Sequence, residues 1–441
     1  MKKHSTYTTT KGMKSNVDVK LVKQDVSSLI TNEILQHYEN NKNDDSSKSK
    51  PEQQQQQQRE QPKSIVVKTF NAFKGGKAKL IAFDLDDTLI RPKDKKRFGK
   101  DANNWELMFD RKVMCAKIEQ YINIKDNDKS EYALAVLSNQ HGIEKGHTTE
   151  EIVLDKVTQV FTNELPYPLI FICAKSKDYY RKPYPGMIEY IEMTYNNGIR
   201  FDRKESLYIG NAAGRKKSKQ HPYTDHSDSD YKLAINAGTR FSTPEEFFLG
   251  TKQNIPAIEF DLHKYDNNTN SHVVFDTQIQ EMIIMVGSPG SGKSSYCENV
   301  LVKQYKYVRV NRDDLKTEKK CLDIAETAIK NKQNVVIDNT NPKISNRSVY
   351  ISLAKKHNIQ VRCFIMNVPK ELSFHLNNLR FINNERKHYS NGVNVIPIHS
   401  FYKYFEPPNA IKEGITSIIN INFIPGPFVS DKDKEIFYMI S

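Results

Sequence analysis

The stretch IIMVGSPGSGKSS, Ile283 to Ser295, limits what this chain can fold into more than any other part of it. An apolar run suited to a buried strand leads into GSPGSGKS, which satisfies GxxxxGK[ST] in full and precedes a helical pattern. Its glycines let successive backbone N–H groups curl around a phosphate, and the helix N-terminus adds partial positive charge. Gly287, Ser288, Pro289, Gly290, Ser291, Gly292, Lys293 and Ser294 therefore read as an ATP-binding loop. Lys293 is expected to reach the β- and γ-phosphates and the Ser294 hydroxyl to bind Mg²⁺. A turn of this kind needs a strand before it and a helix after it, which favours parallel α/β architecture.

A second signature lies upstream. KLIAFDLD, Lys79 to Asp86, reads as a buried strand ending in carboxylates, and the motif continues to Thr88. Ligands of open α/β sheets sit beyond the carboxyl ends of the strands, where Asp84 and Asp86 fall. One carboxylate can attack a phosphomonoester to form an acyl phosphate. The other can protonate the leaving oxygen and then activate water. Mg²⁺ would offset the repulsion between these carboxylates and a phosphate dianion. Two solvated aspartates in a surface turn are the plainer reading, and three later pieces weigh against it. Ser138 ends an apolar strand in VLSNQ, Lys182 stands before a proline and a helix in YYRKPYPGM, and GNAAGR, Gly210 to Arg215, follows the SLYI strand. Lys182 would bring positive charge to a transferring phosphoryl group.

Between and around these motifs, strand-like runs alternate with helical patterns from Ile65 onward. The expected fold class is α/β, with two parallel-sheet domains. Domain limits are expected at 65–259 and 280–441, joined by a polar, Asn-rich linker over 260–279. Helices are expected over Leu107–Tyr121, over Glu150–Phe161 and around Met187–Met193. Residues 1–64, with the glutamine run Gln53–Gln58, read as a disordered low-complexity segment holding at most a short helix near Val26–Tyr38.

The 441 residues suit two or three domains. The five cysteines show no CxxC spacing, so neither a zinc cluster nor a disulfide framework is expected. No apolar run reaches the roughly 20 residues that span a bilayer, and the N-terminus lacks a signal-peptide core. The expectation is a soluble, intracellular protein without a membrane partner. A formal net charge of +13 fits binding to a polyanion, and fits a lysine-rich solvated surface equally well. The basic runs RPKDKKRFGK and GRKKSK adjoin the upstream motif, where they can pull a strand end toward Asp84 or simply be exposed loops. Trp105 reads as a packing residue more readily than as a base-stacking one.

Downstream of the phosphate loop, VNRDD ends one strand with Asp313, and VVIDNTNP ends another with Asp338. A carboxylate there can take a proton from an incoming hydroxyl, which a kinase needs and an ATPase does not. Asp338 suits acceptor binding or metal support. NNLRFINNERKH carries Arg380, Arg386 and Lys387 on a helix-like segment able to close over a triphosphate.

The upstream series resembles the haloacid-dehalogenase-type phosphatases. More closely, FDLDDTLI, SNQHGI, YRKPYPGM, YIGNAAGR and TPEEFFL resemble the phosphatase domain of the bifunctional polynucleotide phosphatase/kinases. GSPGSGKSS, VNRDDL, IDNTNP and the EPP of FEPPNAIKEG are similar to that family's kinase domain. The resemblance implies Asp84 as nucleophile and Asp86 as general acid and base, with Thr88, Ser138 and Lys182 on phosphate. It implies Asp313 as base for a 5′-hydroxyl, Arg380 as a lid arginine, and Arg312 and Arg347 as acceptor contacts. Metal would be held by Asp84, Asp86 and the position of Asn211 in one site, and by Ser294 in the other. The implied partners are DNA (or RNA) strand ends and ATP. Residues 1–64 show nothing of the phosphopeptide-binding domain that animal members carry, so recruitment to a scaffold is not implied.

Two departures matter. The family has Asp where this chain has Asn211, and it usually has Gly at Asp87. Asn211 keeps a carbonyl oxygen for a metal and loses the charge, which leaves Asp225, Asp228 and Asp230 as candidate replacements. It also keeps an alternative open, a 5′-kinase whose upstream domain only binds strand ends. A small-molecule kinase fused to a small-molecule phosphatase is a further alternative, disfavoured by the positive charge.

Overall fold

The computed structural model describes residues 61–94, 101–122, 131–218, 221–270, 273–276, 278–382 and 392–441. The short helix expected near Val26–Tyr38, Arg386 and Lys387, and parts of both basic runs lie outside these residues. Two central sheets fall within one compact unit, Arg59–Pro425 with Ser430–Ser441.

The first sheet is built from β1 (Ile65–Phe70), β2 (Lys79–Phe83), β5 (Tyr132–Asn139), β6 (Leu169–Ala174), β7 (Leu207–Ile209) and β8 (Arg240–Ser242). A small hairpin-like pair, β3 (Ile90–Arg91) and β4 (Glu106–Leu107), stands beside it. The sheet order is β1-β6-β5-β2-β7-β8. All neighbours run parallel except β1, which pairs antiparallel with β6. Strands in a sheet covered on both faces lose the polar alternation of half-exposed strands. KLIAF, ALAVL and LIFICA obey this, with every residue from Leu80 to Phe83 and from Leu169 to Ala174 buried. Phe83, Leu85, Val136, Phe161 and Phe171 fill one face, and Leu80, Ala82, Leu137, Ile172 and Tyr208 fill the other.

The second sheet holds β9 (Glu281–Val286), β10 (Val308–Val310), β11 (Val335–Ile337), β12 (Gln360–Asn367) and β13 (Ser417–Asn422) in the order β10-β11-β9-β12-β13, parallel throughout. In both sheets, the strand that carries a phosphate motif lies between neighbours reached on opposite sides. β2 sits between β5 and β7, and β9 between β11 and β12. This is the switch point at which open sheets present a crevice.

Local differences from expectation have local causes. The helix expected over Leu107–Tyr121 is only Arg111–Ile118, because Asp110 caps it by accepting from the N–H groups of Lys112 and Val113. Leu107 pairs instead with Ile90 across the β3–β4 ladder. The helix from Glu150 is α-helical to Gln159 and closes in a π-helical turn, Val160–Glu164. Described residues of 260–279 pack beside the second sheet: Tyr265 is buried, Asn268 Nδ2 donates to the Phe423 carbonyl just after β13, and the Phe275 ring lies 4.0 Å from that of Tyr305. Trp105 packs on the first core and donates its indole N–H to Gln159, a structural role.

Candidate active sites

The residues expected at the upstream site converge from four strand ends. Asp84 follows β2 and is held by its N–H to the Ile209 carbonyl of β7. Lys182 comes from the loop after β6, and its buried ammonium donates to Asp84 Oδ1 at 2.5 Å, to the Leu137 carbonyl at 2.9 Å and to the Tyr208 hydroxyl at 3.0 Å. Its fourth neighbour is Asp230 Oδ1 at 2.8 Å. Asn139, at the end of β5, fixes the Lys182 backbone from both sides: its amide accepts from Lys182 N at 3.0 Å and donates to Lys182 O at 3.0 Å. Gln140 gives its amide N–H groups to Asp86 Oδ2 at 2.8 Å and to Ser138 Oγ at 2.9 Å, tying the second carboxylate to the buried serine. Thr88, fully buried, accepts from the Asn211 N–H at 3.1 Å and lies 3.4 Å from its side-chain oxygen.

The electrostatics follow from two buried aspartates sharing one lysine. Burial pushes the Asp84 carboxyl up to about 8, with Lys182 pulling it down and the Asp230 charge adding to the rise. Burial alone would lower the Lys182 ammonium, but the Asp230 and Asp84 carboxylates hold it above its ordinary value. The pocket therefore has more negative charge than its one cation neutralises. A divalent ion or a proton relieves this.

The candidate replacements for the missing acid separate clearly. Asp225 is spent on Arg215, at 2.8 Å, and on His221. Asp228 pairs with Lys232 near the surface. Asp230 sits against Lys182 and Tyr208, so close under Gly210 that a Cβ there would lie 2.5 Å from its carboxylate. Among the described residues no three His, Cys, Asp or Glu form a metal cluster. The donors that fit Mg²⁺ are hard oxygens: the Asp84 and Asp86 carboxylates with the Asn211 amide oxygen, which accepts from the Thr88 hydroxyl at 3.4 Å.

The downstream site is built on β9, β10, β11 and the helix Lys370–Ile382. Gly290 and Gly292 have φ of 84° and 88°, a region open to glycine at little cost, so the loop turns inward. A Cβ on Gly290 would lie 3.3 Å from the Ser373 carbonyl of the long helix. Ser288 locks the loop to that helix by donating to Ser373 Oγ at 2.7 Å. Lys293 is buried and folds back on the Ser288 carbonyl at 2.8 Å. Burial lowers its ammonium to about 8, against the pull of Asp338, and the Arg380 charge lowers it further. The Lys293 and Arg380 cations thus lie close enough to repel one another, which a bound polyphosphate would relieve. Ser294 is exposed on the first helical turn.

Asp338 is buried at the end of β11. Its Oδ2 receives Arg309 at 2.8 Å and Asn311 at 3.1 Å, while its Oδ1 has no hydrogen-bond partner. An orphaned, buried carboxylate oxygen near the phosphate loop fits a hard cation with the Ser294 hydroxyl. Asp313 stands exposed on the first turn after β10, with its N–H capped by Asn311 Oδ1 at 2.8 Å. Arg312 is exposed beside it. Arg347 is not an acceptor contact. It is fully buried and makes a bidentate pair with Glu413, 2.8 Å at both nitrogens.

A family model described as polynucleotide kinase 3 phosphatase matches residues 79–248, and one described as an AAA domain matches 316–390. The bifunctional polynucleotide phosphatase/kinase of Schizosaccharomyces pombe is 35% identical over 376 residues, covering 84% of this chain and 85% of that protein. The chain belongs to the bifunctional polynucleotide phosphatase/kinase family. The polynucleotide 3′-phosphatase of Saccharomyces cerevisiae is 30% identical over 216 residues, 38% of this chain and 87% of that one. The phosphatase model thus falls on the first sheet and the AAA model on part of the second.

Four residues at the phosphatase-type site carried no role in the sequence reading. They are Asn139, Gln140, Tyr208 and, beyond its candidacy as a metal acid, Asp230. Asn139 and Gln140 follow Ser138 directly in SNQHGI, so adjacency to a motif was their signal. Tyr208 lies inside an apolar strand, where a tyrosine is ordinarily core, and only the three-dimensional meeting with Lys182 reveals its use.

Proposed function

We propose that this protein heals nucleic-acid ends, removing 3′-phosphates at the first site and phosphorylating 5′-hydroxyls at the second, so that strands become ligatable during DNA repair. The observation that carries the reading is the convergence on Asp84: a buried carboxylate held at 2.5 Å by a buried lysine, with a second carboxylate two residues on.

At the first site Asp84 attacks phosphorus, the P–O3′ bond breaks, and the carboxyl of Asp86 gives its proton to the departing 3′-oxygen. Asp86 then takes a proton from water, which attacks the acyl phosphate and releases inorganic phosphate and free Asp84. Lys182 remains bonded to the nucleophile side of the pocket and offsets charge on the phosphoryl oxygens. Mg²⁺, when held by Asp84, Asp86 and Asn211, supplies charge neutralisation there. At the second site Asp313 accepts the proton of the 5′-hydroxyl, whose oxygen attacks the γ-phosphorus of ATP as the bond to the β-phosphate oxygen breaks. Lys293 and Arg380 balance the phosphoryl charge, and Asp338 with Ser294 suits the metal that accompanies ATP.

The complete lysine-centred constellation supports catalysis at the first site over a role as a strand-end binder alone. The two activities are expected to separate. Asp84→Ala loses phosphate release from a 3′-phosphorylated oligonucleotide and keeps transfer from ATP, and Lys293→Ala does the reverse. Loss of both activities in either folded variant would end the two-site assignment.

A further inference from the structure

Arg309 lies in the middle of β10, between Val308 and Val310, whose side chains pack on the second core. Successive strand residues point to opposite faces, so Arg309 turns away from that core. Its partner in the parallel ladder is Val336 of β11, two residues before Asp338.

The guanidinium is divided between two carboxylates. Nε and Nη2 donate to Asp338 Oδ2 at 2.8 and 2.7 Å, and Nη1 donates to Asp314 Oδ2 at 2.8 Å. Glu298, on the segment Cys297–Val302 just beyond the phosphate loop, stands 3.7 Å from Nη1. Burial alone would lower the guanidinium, and the Asp338, Asp314 and Glu298 carboxylates hold it above its ordinary value. Each of its three nitrogens already faces a carboxylate of the chain, so Arg309 acts through these partners rather than on a phosphate.

Those partners belong to the phosphoryl-transfer machinery. Asp338 is almost completely buried, and removing a partner from a buried charge is strongly unfavourable. Arg309 and Asn311 both take Oδ2, which leaves Oδ1 without a hydrogen-bond partner. Asp314 follows Asp313 directly on the turn Arg312–Leu315. Asn311 ties the backbone of that turn to β11: its Oδ1 accepts from the Asp313 N–H at 2.8 Å, and its Nδ2 donates to the Asp338 carbonyl at 2.7 Å. Arg309 repeats the tie between side chains. Its planar fork sets distance and angle together, which a lysine ammonium does not.

We propose that Arg309 is a positioning residue of the kinase reaction, holding Asp338 with Oδ1 open and setting the distance from Asp338 to the turn that carries Asp313. The inference rests on the 5′-kinase reading of this site.

The test is steady-state phosphorylation of a 5′-hydroxyl DNA oligonucleotide by the full chain with ATP and Mg²⁺. Arg309→Gln should lower kcat about 10–100-fold and leave KM for ATP little changed, since Lys293 and the loop glycines are untouched. Arg309→Lys should recover only part of the loss, having the charge without the fork. Asp314→Asn, a change at an exposed side chain, should lower kcat several-fold and add nothing to Arg309→Gln in the double variant. Thermal melting reads the folded fraction, and phosphate release from a 3′-phosphorylated oligonucleotide should be unchanged in the same samples. A purely structural role lowers both activities together and leaves kcat per folded molecule at the wild-type value, which overturns the proposal. Full recovery in Arg309→Lys overturns it too, as do additive losses in the double variant. Should Arg309→Gln fail to fold, Asp314→Asn decides alone: a selective fall in kcat supports the proposal and an unchanged kcat overturns it. Wild-type protein that transfers no phosphate to the oligonucleotide overturns the kinase reading as well.

Discussion

Asp84 shows how a single side chain can be costly to the fold and necessary to the chemistry. Its raised pKa means that the protonated form is favoured in the folded chain. That contribution to stability is complete below the ordinary carboxylate value and is lost as pH rises through about 8. Metal-free protein should therefore melt at falling temperatures across that window, and Asp84→Asn should flatten the decline, as Tm measured against pH in chelator will show. The acidic limb of phosphatase kcat/KM should move to lower pH as Mg²⁺ is raised, because a cation favours the ionised carboxylate. Lys293 has the opposite sign. Burial holds its ammonium at about 8, and a bound triphosphate favours the charged form. Nucleotide binding at pH 8.5 to 9 should take up protons, approaching one per site, and its affinity should weaken with rising pH. Calorimetry in buffers of different ionisation enthalpy measures this directly. Asp87 adopts φ of 58°, the left-handed region that glycine enters at least cost. Aspartate tolerates that region better than most residues, and Asp87→Val should destabilise by about 1–2 kcal/mol in denaturant unfolding.

At the scale of elements, the long apolar runs announced the central strands, because a strand covered on both faces has no polar register to obscure it. β2, β5, β6 and β9 were legible for that reason, and β12 from the apolar CFIM at its centre. The two-residue strands β3 and β4 and the Asn-rich β13 were not, since their pairing comes from tertiary neighbours rather than from their own composition. The roles of Arg347 and Trp105 turned on the same distinction. Nothing in a linear sequence separates an arginine aimed at a substrate from one closed on Glu413. That buried pair ties the helix Ile344–Lys356 to the short helix Ala410–Glu413. Glu413→Ala leaves a guanidinium unpaired in the core and should cost about 3–5 kcal/mol by equilibrium unfolding. The helix Lys370–Ile382 matters differently. Ser373 holds the phosphate loop, and Arg380 adds charge beside Lys293.

Over the whole molecule, two sheets repeat one solution to one problem. Each places a phosphate motif on the strand between neighbours reached from opposite sides, and each surrounds it with side chains from adjacent strand ends. The order of the motifs was readable from the chain, and so was the chemistry of their leading residues. The supporting partners were not, because Tyr208, Asp230 and Gln140 acquire their roles only when distant segments meet. No helix among the described residues is long and apolar enough to cross a membrane. The central claim is that one chain carries two independent centres acting on opposite ends of the same polymer. A single oligonucleotide bearing a 5′-hydroxyl and a 3′-phosphate, incubated with ATP and Mg²⁺ and with its two terminal fragments read separately by tandem mass spectrometry, tests this most directly. Wild-type protein should yield the strand with a 5′-phosphate and a 3′-hydroxyl, Asp84→Ala the doubly phosphorylated strand, and Lys293→Ala the strand with neither phosphate. A 5′-hydroxyl or a 3′-phosphate retained after reaction with wild-type protein, or the same product from both variants, would contradict it.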